Sequence, residues 1–273
     1  MKTVTTTISA LPPRLDLPPD AGGGFLGAVR SEWTKLRTVA STWWTLAAAT
    51  TLLLGGMAIA AVSTRSQHAD GNPAAFTSSA PFITGEVMAY LVQWSIVILS
   101  VLMVTAEYQS GSIRNTLQWV PDRARMLLSK VAVLVPLLLV LGMVFGAVGL
   151  GIAILGLGEF GEAFTTDDAY NVVVGVALYL PMLGVFALGL AAALRGAAQT
   201  ISIIFVVLLI LPLMLPAIGL ETVAAYLPGD AGVNLMRGTS HPIYPRPVGG
   251  LIVLAWSLTS LATGYLALRK RDT

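Results

Sequence analysis

Six apolar runs, none containing Asp, Glu, Lys, Arg or His, decide what this chain can fold into. They fall at 43–62, 87–106, 131–155, 172–194, 201–220 and 251–268. At 1.5 Å of rise per residue, about twenty helical residues cross the roughly 30 Å hydrocarbon layer of a bilayer. Backbone N–H and C=O groups find no water in that layer, so each run must satisfy them internally as a helix. The composition agrees: 55% of the residues are hydrophobic and 11% charged, against about 25% charged in soluble domains. With a mean hydropathy of +0.78, a water-soluble globule is excluded. The expected fold is all-α and polytopic, with six transmembrane helices.

The distribution of Lys and Arg sets the expected topology. With the N-terminus inside, that side holds Lys2, Arg14, Arg30, Lys35 and Arg37, then Arg114, Arg123, Arg125 and Lys130. Arg195, Arg269, Lys270 and Arg271 join them, making thirteen, against Arg65, Arg237 and Arg246 outside. The positive-inside bias then places both termini in the cytoplasm.

Between and before the runs lie the segments that carry information. Residues 1–24 hold Pro12, Pro13, Pro18, Pro19 and three consecutive glycines with no apolar core of signal-peptide length, and read as a disordered cytoplasmic tail. Residues 25–42 read as an amphipathic helix lying in the membrane interface. Phe25, Val29, Trp33 and Leu36 fall on one side and Arg30, Lys35 and Arg37 on the other. A plain juxtamembrane anchor is the alternative. The longest charged island, 106–130, joins runs two and three. Ile113, Leu117 and Val120 share a helical face, Pro121 breaks that helix, and Asp122 caps the next one. Such an elbow suits contact with another protein better than capture of a small molecule.

The outer loop 221–250 is half apolar. It reads either as short helices buried back against protein or as a loop folded over the mouth of the bundle. Pro136, Pro181, Pro212 and Pro216 predict kinks, and Gly142 with Gly146 forms a small-xxx-small pair where helices can meet closely. Gln93, Ser95, Ser257 and Thr259, with Ser260 and Thr263, are the strongest polar groups within the runs. They read as helix-packing hydrogen bonds or as points on a cargo path.

Several chemistries have no residues to perform them. The chain has no cysteine, no HExxH and no GxxxxGK[ST], and its two histidines, His68 and His241, lie in separate loops. No catalytic or metal-binding set is expected, and the basic residues are accounted for by topology without nucleic acid. Runs without ionisable groups argue against a proton-driven carrier. A sodium-coupled or facilitative carrier, and a non-transport immunity or anchoring subunit, remain as alternatives.

Three stretches carry a resemblance. SEWTKLRT from Ser31 to Thr38, followed by Ser41, Thr42, Trp43 and Trp44, resembles the opening of ABC-2 type transporter permeases, the membrane subunits of bacterial ABC exporters. EYQSGSIRNTL from Glu107 to Leu117, with Pro121 and Arg123 after it, is similar to that family's loop between spans two and three, and Leu227-Pro228 with Ala231-Gly232 to its last outer loop. The resemblance implies a multi-pass protein of the bacterial cell membrane. A second permease chain, identical or homologous, would pair with it, and two ABC ATP-binding subunits would carry ATP and magnesium while this chain binds no cofactor. Glu107, Tyr108, Gly111, Ser112, Ile113, Arg114, Asn115 and Leu117 would then couple to the ATP-binding subunit. Trp33, Lys35, Leu36 and Arg37 would lie on the connecting helix, and Tyr226, Leu227 and Pro228 at the outer gate.

Overall fold

A computed structural model of the chain describes residues 24–69, 78–111, 122–237 and 243–270. The N-terminal tail before Gly24, the elbow residues Ser112, Ile113, Arg114, Asn115 and Leu117, and His241 lie outside the described residues. Regular structure among the described residues is helical, apart from a single bridge between Ser79 and Glu162.

A short helix α1, Gly24–Thr38, is followed after one residue by α2, Ala40–Ala69. The remaining long helices are α3 (Ala80–Gln109), α4 (Arg123–Leu157), α5 (Thr166–Leu194), α6 (Ala197–Ala217) and α9 (Arg246–Lys270). With α2 they make six helices long and apolar enough to cross a membrane. Local chemistry sets their ends. The Ser79 hydroxyl accepts from Phe82 N–H at the start of α3, and Asp122 accepts from Ala124 N–H at 2.9 Å at the start of α4. Thr165 and Asp168 form a reciprocal capping box at the start of α5. The cap read for Asp122 is thus present.

The second long helix begins earlier than its apolar run, at Ala80, and takes in Glu86. The third begins at Arg123 and takes in Lys130. Hydropathy marks the greasy stretch; hydrogen bonding and caps carry the helix beyond it.

Around α5 the bundle is assembled, and α5 is the most enclosed of the six, whereas α6 and α2 are the least. Without a hydrophobic force between helices in lipid, close backbone approach and polar contacts hold such bundles. Gly142 and Gly146 of α4 supply the approach on one side. A Cβ at Gly142 would sit 2.8 Å from Ala177 Cα, and one at Gly146 would sit 3.1 Å from Val173 Cα. On the other side Gly189 of α5 meets Gly264 of α9, where a Cβ on Gly264 would lie 2.5 Å from the Gly189 carbonyl. Ser257 and Ser260 of α9 donate to the Met182 and Phe186 carbonyls of α5, each at 2.7 Å. Tyr179 of α5 donates to Gln93 of α3 at 2.7 Å.

Two helices carry π turns, Met88–Val92 in α3 and Val206–Ile210 in α6. The second lies just before Pro212, whose ring would crowd the Leu208 carbonyl in a regular α-helix; the wider turn relieves that clash. The loop after α6 forms two short helices, α7 (Glu221–Ala225) and α8 (Pro228–Arg237). Most of α8 is buried against α5 and α9, so this loop is folded into the protein as helices. Arg237 pairs with Glu86 and lies 4.8 Å over the Phe82 ring, while Tyr244 donates to the Ala225 carbonyl.

Candidate functional site

At the end of the bundle that bears α1, four charged side chains from three helices meet. Ala28, Glu32 and Leu36 recur every four residues on α1, so they share the face turned toward the bundle, and all three are buried. Glu107 sits near the end of α3, just before the 112–121 segment, and Lys130 lies about two turns into α4 on the other side of it. Lys130 is 0% exposed. Its ammonium donates to Glu32 Oε2 at 2.9 Å, to Glu107 Oε1 at 2.6 Å and to the Met103 carbonyl at 3.1 Å. All three of its N–H donors are thereby used. Lys35 donates to Glu32 Oε1 at 2.7 Å and to Glu107 Oε1 at 2.8 Å. Two cations and two carboxylates cancel, and that balance is what makes their burial tolerable. One position is left over: Glu107 Oε2 is buried with no hydrogen-bond partner.

The ammonium of Lys35, outside the spanning helices, feels two opposed influences. Burial, the larger single one, pushes its pKa down; the hydrogen bonds and charges of Glu107 and Glu32 together outweigh it, and the net shift is upward from 10.5. A raised lysine stabilises the fold fully below its unfolded value and loses that contribution as pH rises through the folded one. The thermal midpoint of detergent-solubilised protein is therefore expected to fall as pH climbs beyond about 10.5. Lys35→Gln is expected to shallow the alkaline fall, and an unchanged alkaline profile in that variant would contradict the assignment.

The sequence-predicted residues divide clearly. Lys35, Leu36 and Glu107 come together here, with Lys35 and Glu107 turned into the protein. Glu32 and Lys130 were missed. The signal for Glu32 was its place three residues before Lys35 in an otherwise basic helix; Lys130 reads in the sequence as one more cation of the 106–130 island, and the structure shows a buried residue of α4. Trp33 and Arg37 are exposed, and the Arg37 carbonyl accepts from the Trp43 indole at 3.0 Å. Phe25, Trp33, Trp43 and Trp44 are all exposed around the α1–α2 junction. The side of α1 read as apolar is therefore split: Leu36 faces the bundle, while Phe25 and Trp33 face away from it.

Tyr108, next to Glu107, turns to another neighbour. Its ring lies 5.2 Å beneath the Arg195 guanidinium, and Arg195 itself closes α5 in the left-handed conformation with φ 62°. Gly111, with φ 69°, turns the chain out of α3 in a conformation that favours glycine.

A crevice of about 280 Å3 opens beside the network, between the α1–α2 junction and α3. Glu32, Lys35 and Glu107 give it a charged patch, and Leu36, Val39, Leu99, Leu102 and Met103 give it an apolar wall. Toward the other end of the bundle, a smaller cavity of about 110 Å3 lies where the two π turns approach α8; Gln93, Leu208, Pro212, Gly229 and Asp230 are among its lining. Of the outer-loop residues, Tyr226 is exposed and Leu227 and Pro228 are buried. Ser95 is buried, Ser257 bonds to α5, and Thr259 is exposed with its hydroxyl returned to the Ala255 carbonyl at 2.7 Å. Among the described residues no group of His, Cys, Asp and Glu is arranged to hold a metal ion.

Residues 28–211 match the sequence model of a family described as ABC-2 family transporter protein. A comparison with curated proteins gave no match. The matched region spans well over half of the chain and takes in most of α1, the four-charge network, the first four long helices and most of α6. The chain belongs to the ABC-2 transporter family and is a multi-pass membrane permease, not an enzyme on its own.

Proposed function

We propose that this chain is the permease half of an ATP-driven exporter in the bacterial cell membrane, moved by separate ATP-binding subunits that press on residues 107–117. Two such subunits and a second permease chain, identical or homologous, complete the assembly. The observation that carries this reading is the Glu32–Lys35–Glu107–Lys130 network. It fastens α1 to both helices that flank the 112–121 segment. A push delivered to that segment is useful only if its two ends resist it together, and buried ion pairs linking three helices provide that stiffness.

Orientation follows from the charges. Arg30, Lys35, Arg37, Arg123, Arg125, Lys130, Arg195, Arg269 and Lys270 gather at the α1 end, and Arg65, Arg237 and Arg246 at the other. The positive-inside bias makes the α1 end cytoplasmic. α1 itself serves as the connecting helix, with Phe25 and Trp33 in the interface. The cavity under α8, with Gln93 on its wall and Leu227 and Pro228 at the start of α8, is the place we assign to the outer gate.

The test is ATP hydrolysis by purified components. The chain alone is expected to hydrolyse none, and its complex with the ATP-binding subunit to hydrolyse ATP. Ile113→Asp and Arg114→Glu are expected to abolish co-purification of that subunit while leaving the chain folded. Both variants retaining the subunit would remove the coupling assignment. Solute flux by the chain alone in liposomes would favour a stand-alone carrier instead.

A further inference from the structure

The crevice between the α1–α2 junction and α3 is unused by the transport reading, and its hydrogen-bonding remainder is specific. Glu107 Oε2 is buried and accepts from no donor. Lys35 spends two of its three N–H donors, on Glu32 and Glu107, and its side chain is 38% exposed. Both residues line the crevice. The site therefore holds a buried carboxylate oxygen without a donor, beside a partly exposed ammonium with one N–H not spent on the protein. Next to that patch runs the apolar wall of Leu36, Val39, Leu99, Leu102 and Met103. Exposed Trp33, Trp43 and Trp44 around the same junction mark the depth at which bilayer headgroups lie.

We infer that the crevice binds the headgroup of a zwitterionic phospholipid carrying a primary amine. The lipid ammonium donates to Glu107 Oε2 and its phosphate accepts from Lys35. The first methylenes lie along the Leu99–Met103 wall, and the rest of the acyl chain runs out into the bilayer. At about 280 Å3, close to the lower bound of about 300 Å3 for small-molecule sites, the space takes a headgroup and the beginning of a chain. A choline headgroup has no N–H to give, so it leaves the carboxylate oxygen unsatisfied. An anionic glycerol headgroup brings no cation to it. The inference needs the chain to sit in a bilayer and needs no other part of the transport reading.

The experiment is native mass spectrometry of the full chain, delipidated in detergent and titrated in turn with dioleoyl phosphatidylethanolamine, phosphatidylcholine and phosphatidylglycerol. Retention of one phosphatidylethanolamine is expected at concentrations about tenfold lower than for either other lipid, the worth of one charge-assisted hydrogen bond. Ala106→Trp, at an exposed residue on the crevice wall, is expected to abolish that preference without changing the thermal midpoint. Equal retention of the three lipids by the unaltered chain, the result for a crevice filled by water, overturns the inference. So does a preference that survives Ala106→Trp.

Discussion

Lys130→Ala will lower the unfolding free energy of the chain by about 3–5 kcal/mol, the usual penalty for removing one partner of a buried ion pair. The reason lies less in the lost bonds than in what stays behind. Without the ammonium, Glu32 and Glu107, themselves 4% and 7% exposed, keep only Lys35 as a counter-charge. The Met103 carbonyl also loses the donor it has beyond the helix ladder. Lys35→Ala, at a partly solvated position, will cost less than Lys130→Ala, because water screens the first site and not the second. Adding Glu32→Gln to Lys130→Met will recover part of the loss, since it leaves one carboxylate against the one remaining ammonium of Lys35. Denaturant titration of the detergent-solubilised chain reads all four variants. A Lys130→Ala protein as stable as the parent would mean that the network is not buried as described.

A second large effect belongs to the crossing of α5 and α9. A Cβ at Gly189 would lie 2.5 Å from Leu261 N and from Ser260 C. Both obstacles are backbone, so no rotamer change relieves the clash. Gly189→Val must part the two helices and with them the bonds from Ser257 and Ser260 to α5. Overpacking ordinarily costs about 1–3 kcal/mol, and this substitution is expected at or beyond the top of that range, read as loss of monodisperse protein on size exclusion. Gly151→Ala is the control. Its Cβ meets nothing within 4 Å, and the gain in helix propensity makes it neutral or mildly stabilising. Equal behaviour of the two variants would contradict the close crossing.

The number and type of the long helices were legible because period and length leave little choice in hydrocarbon. The meeting point of α4 and α5 was legible in part: Gly142 and Gly146 stood four apart, although nothing in the sequence named Ala177 and Val173 as their partners. Asp122 announced its cap for a local reason, being the polar residue directly before a helix. The four-charge network was not legible. Glu32 and Lys35 are 72 or more residues from Glu107 and further from Lys130, and only the packing of α1 on α4, with its charged side chains reaching the end of α3, brings them together. Counted by hydropathy, Lys130 sits outside the third apolar run and looks like any cytoplasmic lysine. Its burial follows from the helix starting at Arg123, two turns earlier. The π turn before Pro212 was equally hidden, since proline predicts a kink but not the form the helix takes to relieve it. The hydroxyls of Ser257 and Ser260 went to packing, as such groups usually do in lipid.

The central claim is that α1 and the feet of α3 and α4 form one stiff body that receives the push of the ATP-binding subunit. The chain has no cysteine, so spin labels go where they are wanted. Arg30 on α1 and Arg125 on α4 are both exposed and accept labels without touching the network. Electron–electron distance measurement on Arg30→Cys/Arg125→Cys, in the reconstituted complex, is predicted to give one narrow distribution that is the same with and without ATP. The pair Arg125→Cys/Tyr226→Cys, spanning the bundle to the opposite end, is predicted to shift on ATP binding. A distance between α1 and α4 that changes or broadens with ATP would contradict the account.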